Sequence, residues 1–223
     1  MSLECKILEP EQIDWSSVKS LRVDKPLNGI VYINACIAGG SNIGDDCWLI
    51  YCKLGNNITI GDRAVSARGL VAGDRVKFGN AAKFADSIKI GEHAEFGYDA
   101  IFGNMADIGK NARFGGWAKL GDYATLGDGA RLGFKAEFGN NAKIGGWAKF
   151  CNGVKFGDNL ECGDMAEFYK GARIGDDAKF GVGVKFGIGA IFGDNPSFER
   201  QCTVIIREGE GYSAVPVEEY LKK

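Results

Sequence analysis

Any chemistry in this chain would have to start from a short list of side chains. His93, in the stretch IGEHAEF, is its one histidine. As a general base it would need an orienting carboxylate and a substrate cleft beside it. Seven cysteines stand at Cys5, Cys36, Cys47, Cys52, Cys151, Cys162 and Cys202, an odd number with no C-x-x-C pair. That pattern predicts a reduced, cytoplasmic protein whose cysteines fill small apolar spaces, with no metal set among them. Asp86, Asn104, Asp122, Asn140, Asp158, Asp176 and Asp194 recur every eighteen residues. Oxygen ligands in such a row could collect a hard cation such as calcium. The preferred reading is that each side chain closes its own Asx turn. FGGWAKL at 114–120 and IGGWAKF at 144–150 place Trp117 and Trp147 after paired glycines, an unusual setting for an indole.

Composition narrows the partners. A net charge of −2 and a pI near 5.6 give no electrostatic drive toward nucleic acid or an anionic membrane. No apolar run is long enough to span a bilayer, and MSLECKILEP lacks the apolar core of a signal peptide. Glycine is abundant, 34 residues against 4 prolines, which predicts many tight turns or close backbone contacts.

The element that must position these groups is a repeat of six. From Leu54 to residue 203 the sequence runs in hexads without insertion or deletion, as in FGNAAK FADSIK IGEHAE FGYDAI. The first position is large and apolar (Phe78, Phe84, Ile90, Phe96, Phe102), the second is nearly always glycine and the fifth nearly always alanine. So strict a period signals a solenoid. Within Ala82-Lys83-Phe84 the side chains alternate in, out, in at the strand period, and pairs such as Asn140-Asn141 suit the following corner. Ile90, Ile108, Leu126 and Ile144 interrupt the phenylalanines at intervals of eighteen. Of the ten outward positions eighteen residues from Glu95, Asp107, Glu137, Glu161 and Glu167, nine are Lys or Arg. Opposite charges stacked vertically stabilise a ladder, so three hexads make one coil.

Large aliphatic, Gly, two variable, small, variable is the pattern of the bacterial transferase hexapeptide-repeat superfamily, which this chain resembles over residues 31–203. The resemblance implies an all-β fold: a left-handed parallel β-helix of about nine to ten triangular 18-residue coils, with short non-repetitive caps at 1–30 and 204–223. Phe in place of the family's usual Leu, Ile or Val is a departure. The resemblance also implies acyltransferases that use acyl-CoA and a histidine near a cleft between subunits, which would make His93 the base. Those enzymes commonly carry loops that interrupt the helix, and none breaks the hexads here. Carbonic anhydrases of that fold need three histidine ligands, which this chain does not have. Family members are usually trimers, so a homo-oligomer, in the family's case a trimer, is expected.

Corners filled by apolar residues mark candidate contact surfaces. Tyr98, Trp117 and Phe134 fall on one edge in successive coils, with Ile101 facing outward beside them; Trp147, Met165 and Val182 fall on another edge about three coils higher. A ring closes only if the two surfaces match in height. Pairing these two patches predicts an open, staggered assembly, and a closed trimer would use the Tyr98 edge at its own level. Upstream of Leu54 the register shortens by one residue at LIYCK, predicting a bulge or tight corner; EPEQIDWSSVKSL reads as a short helix or loop and PVEEYLKK as a short helix begun by Pro216. The function expected is a non-catalytic, rod-like scaffold or self-assembling protein with no cofactor. An acyltransferase acting from acyl-CoA through His93 is the alternative, and a glycan- or surface-binding module a further one.

Overall fold

One hexad cannot bury its large residue alone, but three hexads turned around an axis enclose a prism. In the computed structural model, which describes residues 6–8, 31–33, 36–37, 39–66, 69–208 and 211–222, the chain forms a parallel β-helix of about nine coils. Its strands form three sheets. Sheet A includes Lys83–Phe84 and Ile101–Phe102, sheet B Lys89–Ile90 and Asp107–Ile108, and sheet C Glu95–Phe96 and Arg113–Phe114. The corners between them define an AB, a BC and a CA edge. Register partners stand eighteen residues apart, as in Phe78↔Phe96 and Ile90↔Ile108.

The interior obeys a volume rule. Layers such as Phe84/Ile90/Phe96, Phe102/Ile108/Phe114, Phe138/Ile144/Phe150 and Phe156/Cys162/Phe168 each combine two phenylalanines with one smaller residue, all buried. Rings stack within a sheet, Phe84 on Phe102 at 4.5 Å and Phe96 on Phe114 at 4.8 Å. Between sheets they meet edge to face, as Phe84 and Phe96 do at 5.8 Å. Both arrangements suit the ring quadrupole. At two small first positions the preceding inward residue is large: Leu70 precedes Ala72 and Leu160 precedes Cys162, each buried, whereas Ser66 follows the small Ala64.

Two departures from the repeat are resolved. Below Leu54 the register offset is seventeen, as in Asn42↔Thr59 and Cys36↔Lys53. In these two pairs the missing residue comes out of the corner after Trp48–Ile50, where Tyr51 alone, at φ 51°, makes the turn. At the other end Thr203–Glu208 pairs antiparallel with Gly211–Pro216, and a helix, Val217–Tyr220, follows with Pro216 as its N-cap rather than its first residue. Val217 is buried, its N–H donates to the Cys202 carbonyl, and the Tyr220 hydroxyl donates to the Ala190 carbonyl. The stretch 9–21, read above as helix or loop, lies outside the described residues, as does Cys5.

Candidate functional site: the edges of the prism

Apart from the one made by Tyr51, each corner is built from two residues, and the second adopts a left-handed backbone. Asn and Asp take that conformation readily, bulky side chains do not. Yet Trp117 sits there at φ 58°, Trp147 at φ 55° and Met165 at φ 57°. The first corner residue has its own task. Asp86 Oδ1 accepts the backbone N–H of Asn104 in the next coil at 2.7 Å, and the same bond repeats up the AB edge as far as Asp194. This corrects the Asx-turn expectation: the side chains tie coil to coil and do not close their own turns. Among the described residues no group of three or more His, Cys, Asp or Glu is placed to hold a metal ion.

The ladder separates the edges. On AB it is continuous above Asp86. On CA it runs Asp45–Asp62–Asn80 and makes its last bond, at 2.9 Å, to the N–H of Tyr98, where the aromatic residues begin. Each such hydrogen bond contributes roughly 0.5–1.5 kcal/mol, so aromatic corners exchange stability for a surface.

That surface is a packed cluster. The ring centroids of Trp117 and Phe134 lie 4.3 Å apart, Tyr98 and Trp117 6.1 Å, and Tyr98 and Phe134 6.3 Å. The three stay 50 %, 42 % and 37 % exposed in chain order. The Phe134 ring lies over Gly116, where a Cβ would meet it at 3.0 Å. Gly115 answers a different need, because its Cβ would come within 2.7 Å of the backbone of Gly97 and Tyr98. Ile101 faces outward on sheet A between Lys83 and Lys119.

The second patch lies on the BC edge. The N–H of Trp147 donates to the Asp164 carbonyl, and that of Met165 to the Val182 carbonyl, which stacks the three corners. Trp147 is 63 % exposed. His93 is also on this edge, exposed, at φ 58°, stacked between the corners of Arg75 and Asn111. Among the described residues, His93 lines neither the cleft on the CA edge nor the trough on sheet B described below.

Sequence reasoning missed the upper CA edge. A cleft of about 490 Å³ is lined there by Asn152, Phe168, Tyr169, Ile188 and Ile205 among others. Tyr169 and Cys151 take the hexad position that is usually glycine, which was the available signal. Trp147 shares its coil with Asn152, Met165 with Tyr169, and Val182 with Ile188. The apolar CA surface therefore reaches the level of the BC patch. Met105 and Tyr123, both exposed on the AB corner, were also missed. The second cleft, about 580 Å³, is a trough on sheet B floored by Gly145, Gly163 and Gly181 beside Lys143, Glu161 and Lys179.

Electrostatics follow the ladder on the strands. Lys77 and Arg113 flank Glu95 at 3.0 and 4.0 Å, and Lys119 and Lys155 flank Glu137 at 3.8 and 2.9 Å. The Lys155 ammonium holds the Glu137 carboxyl below its usual range. Burial pushes the Cys47 thiol up to about 12 and raises Cys162 and Cys202 as well, so these sulfurs are core filler and not thiolate nucleophiles. No helix among the described residues is long and apolar enough to cross a membrane. Comparison with known proteins finds no matching family model, no matching curated protein and no matching solved structure.

Proposed function

We propose that this hexapeptide-repeat chain is a non-catalytic, rod-like scaffold that assembles with copies of itself. The observation that carries the reading is the pairing of a projecting and a recessed apolar edge at one level of the rod. Trp147 projects from the BC edge, 63 % exposed, and the 490 Å³ cleft beside Tyr169 and Ile188 indents the CA edge in the same coils. Two different surfaces on one subunit make a heterologous contact, and equal height lets such a contact close into a ring. This closed form differs from the staggered one, which pairs the BC patch with the lower CA patch, in pairing it with the upper CA cleft at its own level.

Light scattering over a concentration series tests this. The wild type should show one closed oligomer of fixed mass. Trp147→Asn suits the left-handed corner and Tyr169→Gly restores the usual hexad residue, so both variants should fold and run as monomers. A monomeric wild type, or an oligomer untouched by both substitutions, would refute the reading.

A further inference from the structure

The Tyr98–Trp117–Phe134 corner lies on the CA edge below the cleft used in the assembly just described, and an electrostatic irregularity lies beside it. On sheet C, Arg113, Arg131 and Lys149 are consecutive register partners, so three cations stack directly over one another. Like charges in register are destabilising, and along most of the strands acids or neutral residues separate the cations, Lys155↔Arg173 on sheet A being the other direct cation pair. Arg113 has Glu95 below it and Lys149 has Glu167 above it at 3.0 Å. Arg131 has a cation on both sides, and among the described residues it makes no ion pair. It stands three residues before Phe134 in the same coil, about 10 Å of extended chain.

An unpaired guanidinium beside exposed aromatic rings fits a ligand that joins an anionic group to an apolar face. We infer that this corner binds an acidic polysaccharide lying along the rod axis. Pyranose rings offer C–H faces to the aromatic cluster, and their carboxylate or sulfate groups meet Arg131 and its neighbours. Coils rise about 4.8 Å each, close to the length of one sugar unit, so successive sugars can meet successive coils. The geometry favours a saccharide over single-stranded nucleic acid. Trp117 and Phe134 touch at 4.3 Å, which leaves no slot for a base between them and presents an outer face only. The same closeness rules out a cage for an organic cation.

The test is affinity electrophoresis of the full chain at low salt through gels holding polygalacturonate, dextran sulfate or neutral dextran, with poly(dT) in a fourth. Retardation is expected in at least one of the two acidic gels, and which one identifies the anionic group. It should weaken as salt rises. Trp117→Asn and Arg131→Gln, both at exposed positions, should each weaken it at least about tenfold, a difference of about 1.4 kcal/mol. Circular dichroism verifies that both variants keep the fold. Arg173→Gln, which alters the other cation pair, Lys155↔Arg173 on sheet A, should change nothing. No retardation in either acidic gel, equal retardation by neutral dextran, an equal loss with Arg173→Gln, or retardation by poly(dT) alone would each overturn the inference. Trp147→Asn, which tests the assembly, should leave this binding intact, so the two proposals fail separately.

Discussion

Leu70 and Ala72 are the same strand's two inward residues, 0 % and 5 % exposed, and invert the usual small-then-large order. Their layer contains Ser66, Ala72 and Phe78 at the first hexad positions. If the prism is governed by summed volume, the order can be reversed without changing the total. Leu70→Ala alone should cost about 3 kcal/mol, the transfer term plus a cavity term. Ala72→Phe alone should cost about 2 kcal/mol through overpacking against Leu70. Together they recreate the Ala-x-Phe strand that recurs in sheets A and C, as at Ala82-x-Phe84 and Ala94-x-Phe96, and leave a layer of two phenylalanines and one small residue. The double variant should therefore lose about 2 kcal/mol rather than the additive 5, a coupling of about 3 kcal/mol. Urea unfolding of the four proteins, followed by circular dichroism and compared at equal m-value, measures the cycle. Additivity to within about 0.5 kcal/mol would refute the volume rule.

Gly115→Ala should destabilise clearly, because its Cβ would lie 2.7 Å from the coil beneath, whereas Gly44→Ala at the same hexad position meets nothing among the described residues within 4 Å and should be neutral or stabilising by up to about 1 kcal/mol. Paired urea titrations decide it, and equal losses would disprove the stacking explanation. The Asp46 carboxylate accepts two bonds from Arg63, at 2.7 and 2.8 Å, and Arg63 holds it below the usual carboxylate range. A lowered folded-state value means that its contribution is present at neutral pH and is lost as pH falls through that value. An NMR titration of Asp46 in the wild type and in Arg63→Gln should show the value rise in the variant. No change would show that the pair does not set it.

Period and coil size were legible because burial acts alike on every hexad, so Phe, Gly and Ala recur where the same geometry recurs. The charge alternation along the strands was legible for the same reason, since vertical neighbours are eighteen residues apart. The partners of the Asx side chains were not. Spacing places Asp86 under Asn104, but only the stacked backbone shows that the carboxylate reaches upward to an N–H and not back to its own turn. The upper CA cleft was hidden because Tyr169 and Cys151 depart from the glycine position, whereas attention to corners favours the two turn residues. Gly116 shows the same limit: its meaning depends on Phe134, a full coil away.

The corner geometry also turns chain length into an angular coordinate. Six residues added or removed between two points rotate everything downstream by one edge, while eighteen leave orientation unchanged and only lengthen the rod. Trp117 and Trp147 stand thirty residues apart, so they face different ways. One additional hexad between them would carry the second indole around to the CA edge, two coils directly above the first, and would merge the projecting edge with the aromatic one. Selection on this chain can thus redirect a surface without altering any residue in it, by insertion alone.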